Sequence, residues 1–248
     1  MALPILDTPT YELVLPSTGK KIKYRPFLVK EHKILMTLVD ADDDEVIRVI
    51  KEIIDVCTFN KIKVDKLPNF DIEYIFLNLR AKSIGEIVDI IVNCQCGNKI
   101  EHSIDLNKAK VEKNDNINNK IELRPGIGMT FRYPTFEETT KVILDKNVEN
   151  IFKLVAACID SIYTEEDFHD RSTFTDEEAI GFLSQLTKEE FNKVEQFFLN
   201  IPKVVQEVEA KCNKCGRSNE VRMEGIENFF VWLFPTITWL IFTEWILH

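Results

Sequence analysis

Residues 203–223 read KVVQEVEAKCNKCGRSNEVRM, and the turn Cys212-Asn213-Lys214-Cys215-Gly216 lies between two strand-like runs. These runs, Lys203 to Ala210 and Ser218 to Met223, alternate apolar and polar residues as half-buried strands do. Gly216 tolerates the positive φ that such a turn needs, and the backbone N–H groups of the turn then point at the sulfurs. A Cys-x-x-Cys-Gly turn between two strands is typical of a zinc knuckle.

A second knuckle is predicted in residues 86–104, which read EIVDIIVNCQCGNKIEHSI. Cys94 and Cys96 are one residue closer than in the usual motif, but Gly97 keeps its place after the second cysteine. Four thiolates complete a closed tetrahedral site, which predicts one structural zinc per chain. The predicted ligands are Cys94, Cys96, Cys212 and Cys215. The alternatives are four reduced thiols without a metal, or a redox pair.

The two cysteine pairs are far apart in the chain, because 212 − 96 − 1 = 115 residues separate them. The ligands of a compact zinc finger are much closer together. We therefore expect the metal to join the ends of two chain segments rather than to organise one loop. The other two cysteines, Cys57 and Cys158, lie in apolar helical stretches and are predicted to be small buried side chains.

The segments before the two knuckles have the same order of elements, which favours an α+β fold made of two related repeats. Each repeat consists of a β-hairpin, helices and a zinc-knuckle hairpin, and a split four-cysteine zinc ribbon joins them. The offset is 108 residues between Pro26 and Pro134, and 122 between Leu77 and Leu199. Chance similarity of two mixed stretches is the alternative. The predicted boundaries are 1–106 for the first repeat, 107–120 for an Asn/Lys-rich linker, 121–228 for the second repeat and 229–248 for an apolar tail.

Local signals predict the elements of the second repeat. A helix is expected over residues 148–161, followed by an acidic loop that ends near Arg171. Thr175 and Thr187 are each followed three residues later by a glutamate, which predicts two capping boxes and two further helices.

Composition limits the class of protein. A chain of 248 residues with 45% hydrophobic content can bury a sizeable core. The net charge of −10 repels a phosphate backbone, so nucleic-acid binding is not expected. Residues 1–4 lack the basic and apolar regions of a signal peptide, which predicts a cytoplasmic protein whose thiols stay reduced.

Catalytic motifs are missing from the sequence. It contains neither a Gly-x-Ser-x-Gly elbow nor a phosphate-binding glycine loop, and its four histidines have no useful spacing. The acidic run at residues 165–167 lacks the spaced ligands and the glycine of a calcium loop. We therefore predict that the chain is not an enzyme.

The C-terminal segment, residues 229–247, reads FFVWLFPTITWLIFTEWIL and is too apolar to be left in water. Pro235 and Glu244 interrupt it, and a basic flank is missing, which disfavours a membrane helix. Docking on a partner subunit is the preferred interpretation, with the protein's own core and a membrane as alternatives. The predicted partner-binding anchors are Phe229, Phe230, Trp232, Phe234, Trp239, Phe242 and Trp245.

A family resemblance adds to this reading of the residues. The run LPSTGKKIKYRPFLVKE at 15–31, preceded by PTYE at 9–12, resembles the N-terminal signature of the baseplate hub subunits and hub assembly proteins of T-even-type contractile-tailed phages. The two Cys-Gly knuckles and GIENFF at 225–230 are similar to the same family. The resemblance implies a non-catalytic role in virion assembly, with other phage baseplate hub proteins as partners. It implies synthesis in the host cytoplasm and leaves open whether the chain stays in the finished tail baseplate.

A different class of protein is the second hypothesis. Basic residues gather around the second knuckle, as in a zinc-ribbon protein that binds nucleic acid or acts in transcription. They are Lys203, Lys211, Lys214, Arg217 and Arg222. The acidic charge of the whole chain speaks against this hypothesis.

Overall fold

The computed structural model describes residues 6–40, 43–114, 118–145 and 147–224. The fold is a mixed α+β arrangement of small antiparallel sheets and helices. It contains two compact units. The first unit comprises the described residues up to Glu112 together with those from Lys203 onwards, and the second comprises those of Lys113–Pro202.

The first unit begins with a hairpin followed by helices. Strands β1 (Tyr11–Val14) and β2 (Lys21–Tyr24) pair in antiparallel register. Helices α1 (Val29–Met36), α2 (Asp43–Cys57) and α3 (Asn69–Ser83) follow. Most residues of α3 are buried, as expected of a helix that is apolar on several faces.

Two long hairpins complete the first unit. Strand β3 (Ile87–Asn93) pairs with β4 (Lys99–Asp105), and β10 (Lys203–Lys211) pairs with β11 (Ser218–Glu224). Their inward residues alternate along each strand and share one core with α3. This core contains Leu77, Ala81, Val88, Ile104, Leu106, Val204, Val208 and Met223. The two hairpins therefore pack together although they come from distant parts of the chain.

The second unit is built on a four-stranded antiparallel sheet in the order β6-β7-β8-β9. Its strands are β6 (Lys120–Arg124), β7 (Ile127–Phe131), β8 (Ile159–Tyr163) and β9 (Phe168–Asp170). Its helices are α4 (Phe136–Asp145), α5 (Val148–Ala157), α6 (Asp176–Leu183) and α7 (Lys188–Leu199). Phe131 of β7 stacks on Phe197 of α7 with ring centroids 5.4 Å apart, which places the core between the sheet and this helix.

The helix predicted over residues 148–161 ends earlier. Helix α5 ends at Ala157, and the N–H of Cys158 donates hydrogen bonds to the carbonyl groups of Leu154 and Val155. Residues 159–163 then form β8, which pairs with β7 and β9. The apolar run continues across this junction, so periodicity alone did not separate a helix from a buried strand. The predicted acidic loop is also shorter, because Phe168–Asp170 form β9, a short exposed strand without an alternating apolar pattern.

Part of the predicted linker, residues 107–120, has regular structure. Lys110–Glu112 form strand β5, which pairs with the start of β10. Ala109 and Val111 pack against the core of the first unit, and these two apolar side chains anchor a stretch that otherwise reads as polar.

The compact units have different bounds from the predicted repeats. Hairpin β10–β11 lies in the second predicted repeat but in the first compact unit. A repeat is defined by the order of elements in the sequence, whereas a compact unit is defined by packing. The repeats therefore remain a prediction.

Candidate metal centre

The four predicted ligands meet at one end of the two stacked hairpins. Both knuckle turns have the same backbone bonds. The N–H of Gly97 donates to the carbonyl of Cys94 at 2.8 Å, and the N–H of Gly216 donates to that of Cys212 at 2.9 Å. Both glycines have positive φ, 81° and 73°, where a residue with a Cβ is strained. The sequence prediction of two glycine-dependent knuckles agrees with this geometry.

The sulfur atoms are spaced for a single metal ion. Cys94 Sγ lies 3.6 Å from Cys215 Sγ, and Cys96 Sγ lies 3.7 Å from Cys212 Sγ. All four sulfurs lie within 4.8 Å of one another. A tetrahedron with metal–sulfur distances of about 2.3 Å has sulfur–sulfur edges of about 3.8 Å. Two of the six sulfur–sulfur distances are close to this value and all are within 4.8 Å, so the four sulfurs are close enough to bind one metal ion.

The same distances argue against a disulfide between these cysteines. All six cysteines are free, and a disulfide needs sulfurs about 2.05 Å apart. Soft thiolates in a tetrahedral set are ligands for zinc or for iron–sulfur chemistry. Among the described residues, this is the group of Cys, His, Asp and Glu side chains that is placed to hold a metal.

The electrostatics of the four thiols differ. The backbone N–H of Cys215, followed by that of Lys214 and the side-chain amide of Asn98, lowers the pKa of Cys212 to about 6. The N–H of Cys96 lowers the pKa of Cys94. The N–H of Asn98 also lowers the pKa of Cys96, but the neighbouring thiols outweigh it and raise that pKa to about 11. A bound divalent cation would stabilise all four thiolates at once. It would therefore offset the effect of the neighbouring thiols that raises the pKa of Cys96.

The cluster has one buried side and one exposed side. Cys94 and Cys212, the first cysteine of each knuckle, are buried above Val92, Ile100 and Ala210. Cys96 and Cys215 are exposed. The apolar layer below the first cysteines anchors the cluster to the hairpins, as a structural site requires.

The other two cysteines are fully buried, as predicted, and each contacts an arginine that sequence reasoning did not identify. Arg25 Nη1 lies 3.8 Å from Cys57 Sγ, and Arg132 Nη1 lies 3.9 Å from Cys158 Sγ. Burial raises the pKa of these thiols to about 11 and about 12. Both therefore stay protonated near neutral pH and are not candidates for metal binding or nucleophilic chemistry.

The predicted partner-binding anchors of the tail lie outside the described residues. They are Phe229, Phe230, Trp232, Phe234, Trp239, Phe242 and Trp245. Within the part of the chain that the structure describes, every helix is too short or too polar to cross a bilayer.

Comparison with known proteins gives two matches and one negative result. A family model described as "T4 bacteriophage base plate protein" matches residues 8–231. The chain is 26% identical over 213 residues to "Baseplate hub assembly protein gp26" of Enterobacteria phage T4. That alignment covers 86% of this chain and 93% of the phage T4 protein. No solved structure matches the chain.

Proposed function

Because this chain belongs to the T4 bacteriophage base plate protein family, we propose that it helps to build the hub of a phage tail baseplate. The observation that carries the proposal is the match to a hub assembly protein over 93% of that protein's length. The chain acts through contacts with other baseplate hub proteins and performs no catalysis. The alternative of a nucleic-acid-binding zinc ribbon is not favoured, since the chain is acidic and the family match gives it no support.

Co-purification tests this role. A tagged chain expressed during infection should capture baseplate hub proteins from the host cytoplasm. Finished particles are then tested for the chain, because a permanent subunit persists there and an assembly factor does not. The similarity to a hub assembly protein of phage T4 favours the assembly factor. Capture of no baseplate protein at all would contradict the proposal.

The cysteine cluster holds one structural zinc per chain in this proposal. The support is the spacing of four sulfurs within 4.8 Å and the pairs at 3.6 and 3.7 Å. Each knuckle contributes two ligands, so the ion would fix the ends of the two hairpins to each other. Metal analysis of protein purified without chelator tests this assignment.

The tail, residues 229–248, is the proposed docking element for a hub partner. All three tryptophans of the chain, at positions 232, 239 and 245, lie in it. Tryptophan emission of this chain therefore reports on the tail alone, and after the emission of the partner is subtracted it should shift to shorter wavelength when the partner buries the tail. An unshifted emission on complex formation would argue against docking by the tail.

Two related repeats are also part of the proposal, and a shared side-chain cluster supports them. In the first unit, Arg25 Nη2 donates to Glu31 Oε1 at 2.9 Å, and the N–H of Arg25 donates to the carbonyl of Cys57 at 2.9 Å. In the second unit, Arg132 Nη2 donates to Glu138 Oε1 at 2.7 Å, and the N–H of Arg132 donates to the carbonyl of Cys158 at 2.9 Å.

The helix starts in these clusters are also alike. Glu31 accepts from the N–H of Leu28 at 2.7 Å, and Glu138 accepts from the N–H of Thr135 at 2.8 Å. The offset between the clusters is 132 − 25 = 107 residues, as it is for 138 − 31. Pro26 therefore corresponds to Tyr133 rather than to Pro134, one position from the alignment of the prolines.

A second similarity involves the third residue of a helix and a residue in, or next to, the turn of an earlier hairpin. Asp71 of α3 accepts from the N–H of Ser17 at 2.9 Å. Glu190 of α7 accepts from Arg124 Nε at 2.6 Å. The donors differ, since Ser17 uses its backbone N–H and Arg124 its guanidinium, but both acidic acceptors are the third residue of their helix. This similarity adds support for duplication over chance similarity.

A further inference from the structure

The two knuckles are related by more than their cysteines. In each, the residue after the glycine accepts a hydrogen bond from the N–H of the first cysteine. Asn98 does so for Cys94 at 2.9 Å, and Arg217 does so for Cys212 at 2.8 Å. Asn98 and Arg217 therefore occupy equivalent positions.

Both of these side chains cross to the opposite knuckle. Asn98 Nδ2 donates to Asn213 Oδ1 at 2.7 Å, and Arg217 Nη1 donates to Gln95 Oε1. Asn213 and Gln95 each follow the first cysteine of their own knuckle. The bonds are thus reciprocal, since each post-glycine residue binds the second residue of the other turn.

Of these two residues, Asn98 also contacts a predicted metal ligand. Its Nδ2 lies 3.5 Å from Cys212 Sγ, within the range of a weak N–H···S hydrogen bond. Cys212 is buried and directly follows strand β10, at the start of the turn between β10 and β11. A donor from the short Cys-x-Cys knuckle therefore contacts a sulfur of the Cys-x-x-Cys knuckle.

We propose that Asn98 and Arg217 are positioning residues that hold the two knuckles together, and that Asn98 additionally orients and stabilises the Cys212 thiolate as a metal ligand. The inference rests on the proposed zinc site. Residues that hydrogen-bond a ligand fix its orientation, and their loss typically costs about 10- to 100-fold in metal affinity. Among the described residues, the Arg217 side chain hydrogen-bonds Gln95 and no cysteine sulfur, so it should act on knuckle pairing alone.

Because the two residues have different roles, the metal site should respond differently when each cross-knuckle hydrogen bond is removed. Loss of the Asn98 amide removes both a cross-knuckle bond and a donor to sulfur. Loss of the Arg217 guanidinium removes a cross-knuckle bond only. The first change should alter the electronic environment of the bound metal, and the second should leave it unaltered.

The test compares Asn98→Ala, Arg217→Met and the control Asn93→Ala in the full chain. Asn93 is an exposed asparagine of the same hairpin, one residue before Cys94. Zinc affinity is measured by competition with a chromophoric chelator. Cobalt(II) replaces zinc in a parallel titration, because its thiolate-to-metal charge-transfer band reports directly on the sulfurs.

Asn98→Ala should weaken zinc binding by about 10- to 100-fold and move the cobalt charge-transfer band to longer wavelength, since an unbonded thiolate is easier to oxidise. Arg217→Met should weaken binding by a smaller factor without moving the band. Asn93→Ala should change neither. Asn98→Leu, which has a similar size and removes the donor without adding a charge, should reproduce the effects of the alanine variant and guards against a packing defect.

The outcomes separate this inference from the metal site itself. A wild-type chain that binds neither zinc nor cobalt would overturn both the site and the inference. A wild-type chain that binds both metals, with Asn98→Ala indistinguishable from Asn93→Ala in affinity and spectrum, would overturn the inference alone.

Discussion

Replacing Cys212 by Ser gives the sharpest prediction about stability. Cys212 is buried, lies 3.7 Å from Cys96 Sγ and is placed between the two hairpins. The serine oxygen is a poorer zinc ligand than a thiolate, so the variant loses most of its zinc affinity. The matched control is Cys57→Ser, since Cys57 is also fully buried but belongs to the Arg25 cluster.

The size of the zinc-dependent stabilisation follows from zinc binding to the folded state and not to the unfolded state. With free zinc about 1,000-fold above its dissociation constant, binding adds about 4 kcal/mol to the free energy of unfolding. One kcal/mol shifts the melting temperature of a chain of this size by roughly 2–4 °C. The wild type should therefore melt roughly 8–16 °C higher with zinc than with a chelator.

Melting followed by circular dichroism, with and without chelator, measures this increment. Wild type and Cys57→Ser should both show it, although Cys57→Ser starts from a lower melting temperature because a hydroxyl group replaces a buried thiol. Cys212→Ser should lose nearly all of it. A Cys212→Ser variant with the full zinc-dependent increment would refute the assignment of this residue as a ligand.

Three further predictions concern other parts of the chain. Arg25→Met removes the main partner of buried Glu31 and should lower the free energy of unfolding by about 3 kcal/mol or more. Arg132→Met should cost only about 1 kcal/mol, because its pair with Glu138 is partly exposed; urea denaturation measures both. Burial raises the pKa of Glu73 from 4.5 to about 7, so the folded state binds this proton more tightly and loses stability as the pH rises through that range. Glu73→Gln should therefore stabilise the protein by on the order of 2 kcal/mol at pH 8 and have no such effect at pH 4. Deleting residues 232–248 should leave a folded, zinc-binding body that no longer captures its baseplate partner.

Each of these predictions has its own contrary result. An unchanged denaturation midpoint for Arg25→Met would contradict the role of the arginine cluster. A Glu73→Gln effect of equal size at both pH values would show that packing, rather than the carboxylate charge, is responsible. A truncated body that unfolds would show that the tail belongs to the core.

The four cysteines of the candidate metal site could be predicted from the sequence, because the pattern of each knuckle is local. Two cysteines and a glycine in one turn form a knuckle wherever the turn lies, and two such turns supply four sulfurs. The capping boxes were equally local. Thr175 and Thr187 each accept from the N–H of the glutamate three residues later, as predicted.

The rest depended on contacts between distant residues. Arg25 and Cys57 are 32 residues apart, and only folding brings the guanidinium to the thiol. In the sequence, Asn98 looks like an ordinary turn residue. Only the folded chain brings its Nδ2 to 2.7 Å from Asn213 Oδ1 of the second knuckle. The assignment of hairpin β10–β11 to the first unit likewise depends on its packing against α3 and β3–β4, which no local pattern encodes.

X-ray absorption at the zinc edge of protein purified without chelator tests the central claim most directly, namely that two knuckles 115 residues apart in the chain form one closed metal centre. We expect one zinc per chain with four sulfur ligands at about 2.3 Å. A chain without zinc, or a zinc ion with nitrogen or oxygen neighbours in place of the four sulfurs, would contradict it.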